Sequence, residues 1–169
     1  MNGFARRART WACLVPHFCD ELARTLYEEC LPLLRQLGEQ TSVGMTQMNL
    51  GLLASHQRDY PAARAAIETS LATFREIGHK WGQALALTNL GNTARFAGQL
   101  GLAADCYQQS LALYQDLGDQ ATVSYPLFGL GQVAYAQGDL AQARALYQQS
   151  LTLRQEAGVR VVPALVIAD

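Results

Sequence analysis

The chain has 169 residues, half of them apolar and only 16% charged, with a net charge of −1. That much apolar material can bury a core, which excludes a disordered chain. The near-neutral balance argues against nucleic acid or an anionic membrane as partner, because both select a basic face.

The first nineteen residues carry the one basic cluster, Arg6, Arg7 and Arg9, followed by an apolar stretch. Pro16 and His17 interrupt that stretch, and no small-residue cleavage site follows. It reads as part of the fold rather than as a signal peptide, with the arginines on a solvated helix face. A cytoplasmic location is the expectation, with the four cysteines as free thiols. Phe4, Ala8, Trp11 and Val15 recur at helical spacing. They predict a divergent helix over 1–19 that covers the next helix pair and stops before Pro16. Neither apolar terminus reaches the ~20 residues of a membrane span.

From there the chain repeats itself. Leu26–Gly38 reads LYEECLPLLRQLG and Ala66–Gly78 reads AIETSLATFREIG. Cys106–Gly118 then reads CYQQSLALYQDLG, and Leu146–Gly158 reads LYQQSLTLRQEAG. The period is forty, without insertion or deletion. It divides the chain into a half unit at 20–40, full units at 41–80, 81–120 and 121–160, and a truncated unit at 161–169.

Each full unit predicts two helices. In the first, Asp59 is an N-cap residue and Pro61 falls in the first turn, where a missing N–H costs little. In the second, Leu85, Leu87, Leu90, Ala94 and Ala97 form one apolar stripe. Leu102, Ala103, Cys106, Tyr107, Ser110, Leu111 and Tyr114 form another. Gly98 separates them. In the third, Pro126 is expected to kink the first helix or delay its start, and Asp139 with Gln142 suggests a capping box. Gly38, Gly78, Gly118 and Gly158 sit where left-handed helix ends are expected. Helix pairs of this kind cannot bury their stripes alone, so stacking explains the repetition.

The identities between units are specific. Leu50-Gly51, Leu90-Gly91 and Leu130-Gly131 are each followed by Ala54, Ala94 and Ala134. Ala63, Ala103 and Ala143 come next, then Ile67, Tyr107 and Tyr147, then Ser70, Ser110 and Ser150. This pattern resembles the tetratricopeptide repeat, in a forty-residue form similar to arrays in bacterial signalling ATPases and transcription activators. HEAT repeats share the length but not these marks, and propeller blades would show short alternating strands. The resemblance implies an all-α, right-handed superhelix of antiparallel helix pairs. It also implies a non-catalytic scaffold that binds a protein or peptide on a concave face lined by the first helices. The positions that face this groove in the family are here Met48, Leu52 and Ser55; Thr88, Asn92 and Arg95; Phe128, Gln132 and Tyr135. The lysine positions of the chaperone-tail clamp hold Met48, Thr88 and Phe128, and only Asn92 matches it. A helix or apolar peptide seated on Met48, Phe128 and Tyr135, oriented by Asn92 and Arg95, is expected instead.

Signs of catalysis are absent. His17, His56 and His79 lie in different units, and no phosphate-binding glycine loop occurs. Cys13, His17, Cys19 and Cys30 have metal-binding chemistry, but their spacing matches no common zinc pattern. Cys30 takes the place of Ser70, Ser110 and Ser150, and Cys106 that of Ala66 and Leu146, as small core residues do. No enzyme, metal or cofactor is expected. Three rival functions remain: a sensory module of a larger signalling protein with a small ligand or peptide in the groove, a self-assembly element pairing chains through residues 161–169, and, last, an enzyme that bound metal or a reactive thiol at Cys13 or Cys19 would reveal.

Overall fold

The computed structural model describes residues 20–157. These form seven helices: α1 (Asp20–Gln36), α2 (Gln40–His56), α3 (Tyr60–Glu76), α4 (Lys80–Phe96), α5 (Leu100–Asp116), α6 (Gln120–Ala136) and α7 (Leu140–Glu156). Each spans 17 residues, and three residues link each to the next. The forty-residue period is therefore two equal half-periods. The expected helices over 1–19 and within 161–169 lie outside the described residues.

The helix ends follow from local chemistry. Gly38, Gly78, Gly98, Gly118 and Gly138 all have positive φ. At the first of these turns Glu39 N donates to Leu34 O and Gly38 N to Arg35 O, the bond pair of a Schellman motif. Arg58 holds the equivalent turn at φ 61°, where the other units use glycine. Asp59, Asp119 and Asp139 accept from the amides of Ala62, Thr122 and Gln142. His79 does the same work, its Nδ1 accepting from Gly82 N at 2.9 Å.

The delay expected at Pro126 does not occur: α6 begins at Gln120, in phase with the other helices. The Asp119 cap sets the start before the proline is reached. The ring is then fully buried against neighbouring elements, which offsets its one missing N–H.

Consecutive helices pack antiparallel, as the short links require. The second-order contacts define the shape. α2 touches α4 and α4 touches α6, whereas α1, α3, α5 and α7 make no backbone contact with one another. The layer formed by α2, α4 and α6 is thus the tighter one, and the array curves with that layer inside.

Two devices bind the layers. A buried serine on each of α3, α5 and α7 donates to an inner-helix carbonyl 26 residues earlier: Ser70 to Gly44 O, Ser110 to Ala84 O and Ser150 to Ser124 O, at 2.7–2.8 Å. Backbone proximity is the second. A Cβ on Gly91 or Gly129 would lie 2.7 or 2.5 Å from the Tyr107 ring, so both inner helices need glycine to admit this one side chain.

The inner face as a candidate binding surface

The inner helices are unusual in composition. α2, α4 and α6 contain no aspartate or glutamate, and their only lysine or arginine residues are Lys80 and Arg95. These two stand at opposite ends of α4.

The nine residues expected to line the face divide into three fates. Met48 and Thr88 are buried, at 3% and 8% exposure, so they support the wall rather than line it. Thr88 Oγ1 is engaged with Ser110 Oγ at 2.7 Å, and Met48 Sδ accepts from Asn89 Nδ2. Leu52, Ser55, Asn92, Arg95 and Gln132 are half-buried. Phe128 and Tyr135 are exposed, at 47% and 64%. Of the three residues expected to seat a partner, Met48 is closed off, whereas Phe128 and Tyr135 are open.

Four of these side chains, Asn92, Arg95, Phe128 and Tyr135, come together with residues that the sequence did not nominate. The Tyr107 hydroxyl donates to Asn92 Oδ1 at 2.7 Å. Burial raises the Tyr107 pKa, and the nearby Arg95 guanidinium opposes that shift. Tyr147 is likewise raised by burial and lowered by Arg95, with Tyr135 close enough to act on it. The Tyr147 ring lies 5.3 Å from that of Phe128. Arg95 itself folds its guanidinium over Phe96, 4.3 Å from the ring centroid. Arg95 thus sits among Phe96, Tyr107 and Tyr147, and Tyr147 links it to Phe128 and Tyr135. Its Nε is buried and has no hydrogen-bond partner. An unsatisfied buried donor costs about 1–3 kcal/mol, so the position is not neutral.

A legible signal for Tyr147 and Tyr107 was present: tyrosine at the aromatic position is long enough to pass between the inner helices. Ile67, at the same position one unit earlier, is fully buried and has no hydroxyl to offer.

Two hollows flank this face. One of about 400 Å³ opens between the outer helices α3 and α5, lined by Tyr60, Arg64, Leu90 and Leu102 among others. Its cation is already paired, with Arg64 Nε 2.7 Å from Glu68. The other, of about 410 Å³, lies on the open side of α7 against Tyr135, Leu140, Ala143, Tyr147 and Leu151.

The tetratricopeptide repeat model matches residues 42–116 and 82–156, in register with the helix pairs just described. The chain belongs to the tetratricopeptide repeat family. This is the architecture of a protein-interaction repeat scaffold. Among solved structures, the array is similar to BtubC (BKLC) from P. vanneervenii, with a TM-score of 0.72 and 23% identity. It is also similar to a Rap protein complexed with competence and sporulation factor, with a TM-score of 0.82 and 13% identity. The matches cover 89% and 92% of this chain, but 64% and 45% of those chains. At such identities the likeness concerns the fold. No curated protein sequence matches the chain. No helix among the described residues is long and apolar enough to cross a membrane, and no group of three or more metal-ligating side chains occurs among them. Cys13, His17 and Cys19 lie outside those residues.

Proposed function

We propose that this tetratricopeptide array is a non-catalytic scaffold that holds a segment of a partner protein against its inner face. The observation that carries this reading is the exposed aromatic pair Phe128 and Tyr135 on the curved inner layer. Large apolar side chains left open beside polar groups are what a partner covers. The packed array is ordered in advance, so binding does not have to order it. The Rap neighbour, solved with a bound factor, is consistent with such use of the fold.

The test is site-specific crosslinking. A photoreactive phenylalanine analogue is placed at Tyr135, and as a control at Gln109 on the outer layer, in cells that make the protein. A discrete crosslinked partner from position 135 alone is the expected result. Equal products from both positions, or none from 135, would count against the groove.

A second reading rests on the open side of α7. Ala143 and Tyr147 repeat Ala103 and Tyr107, which α6 covers in the preceding unit. This face fits another helix of the same pattern, from residues 161–169 or from a second chain. Light scattering on the whole chain and on one lacking 161–169 decides: a dimer that becomes a monomer favours assembly.

A further inference from the structure

The inner face carries a cation that no carboxylate among the described residues pairs with. Among the described residues Arg95 forms no ion pair, and the inner helices offer no carboxylate at all. The outer helices, by contrast, carry Glu68, Asp105 and Asp116. The asymmetry is therefore between the two layers, not a general shortage of acids.

The neighbours of Arg95 are equally one-sided. Asn92 lies three residues before it, hence on the same face of α4. Its Oδ1 accepts from the Tyr107 hydroxyl, which leaves its amide NH2 as a donor. The Tyr107 hydroxyl gives its proton to Asn92, and its oxygen remains a neutral acceptor beside Arg95. The flanking side chains of Phe96, Phe128, Tyr135 and Tyr147 lower the local polarity and bring no negative charge. What remains is a set of donors, the Arg95 guanidinium and the Asn92 amide, whose neighbouring acceptors are neutral tyrosine hydroxyls and not an anion. A carboxylate completes such a set, because a guanidinium binds it through paired charge-assisted bonds that an ammonium cannot match.

We infer that the Arg95–Asn92 pair is a specificity pocket for an acidic side chain of the partner segment, one that also presents an apolar or aromatic residue to Phe128 and Tyr135. This rests on the inner-face reading and narrows its partner to an acidic–apolar motif. The carboxylate is a side-chain one. Its apolar neighbour supplies most of the buried surface, and the acid sets register and orientation.

The test uses the full chain and a library of random 16-residue peptides displayed on phage as fusions through their C-termini. No displayed peptide then has a free terminal carboxylate. The enriched sequences are expected to place aspartate or glutamate at a fixed distance from an aromatic or branched apolar residue. Binding of one such peptide, read by fluorescence anisotropy, should weaken at least tenfold in Arg95→Gln. It should weaken less in Arg95→Lys, which keeps the charge and loses the planar fork. Changing the acid of the peptide to its amide should cost the wild-type chain as much and the Arg95→Gln chain little. Circular dichroism melts confirm that the variant is folded.

Three results overturn the pocket. Enriched peptides without an acid do so, and so does unchanged affinity in Arg95→Gln. If Tyr135→Ala abolishes binding in either case, the inner-face reading survives and only the acidic motif fails. If no peptide is enriched, or Tyr135→Ala has no effect either, both fail together.

Discussion

Tyr107 and Tyr147 stand forty residues apart in the same sentence, YQQSL. Tyr107 is fully buried, with Gly91 of its own unit and Gly129 of the next both against its ring. Tyr147 has Gly131 and Phe128 on one side, and on the other the hollow it shares with Leu140 and Leu151. The repeat position sets where each side chain points. The following unit decides whether it is core or surface. In a linear array each interface joins nearest neighbours only, so identical sequence need not mean identical energy.

The sharpest way to break that comparison is to delete both rings. Tyr107→Ala should cost about 3–5 kcal/mol in urea unfolding, as large buried side chains do. Tyr147→Ala should cost less than half of that, and equal losses would mean that residues beyond α7 cover Tyr147 as α6 covers Tyr107.

Next in size is the glycine that makes room. Gly129→Ala puts a methyl group 2.5 Å from the Tyr107 ring, and overpacking of this kind costs about 1–3 kcal/mol. Gly101 in α5 meets nothing within 4 Å. There Gly101→Ala should raise stability by up to about 1 kcal/mol through helix propensity alone. A shift of the same sign at both sites would remove close approach as the reason for the inner glycines.

A smaller effect concerns the thiol beside the same interface. Burial pushes Cys106 up to about 11, with Asp105 adding to it and Arg64 opposing. The folded chain therefore keeps the proton where the unfolded chain has lost it. Stability should fall as pH rises from about 9 to about 11. In Cys106→Ala that part of the decline in melting temperature should disappear. An unchanged profile would assign the alkaline loss to other groups, such as Tyr114, which burial raises to about 12.

The smallest expected change is at the turn without glycine. Arg58 holds φ 61°, a conformation that side chains other than glycine adopt at a cost. Arg58→Gly should raise stability by about 0.5–1 kcal/mol. The same residue at position 98, as Gly98→Arg, should lower it.

Much of this was legible in the residues. The glycine turns and the aspartate caps are local signals; Gly38, Gly78 and Gly118 and the caps Asp59 and Asp139 appear where they were expected, while Gly158 lies outside the described residues. At Pro126 the delayed start does not occur, because the Asp119 cap sets the start of the helix before the proline is reached. The serine column was read only as small; its bonds to carbonyls 26 residues away depend on the spacing between layers. The inner-face residues were placed by repeat position, which is a direction and not an exposure. Met48 and Phe128 share that direction and differ entirely in burial.

By itself the sequence determined the helices, their equal lengths and their pairing, since caps, turns and periodicity act within a few residues. It also determined that the inner layer would lack acids. The tertiary structure alone decided which tyrosine is core, which aromatic is open, and that Arg95 meets hydroxyls and rings but no carboxylate. Those outcomes depend on side chains from three successive helix pairs converging at one place, and no single repeat contains that information.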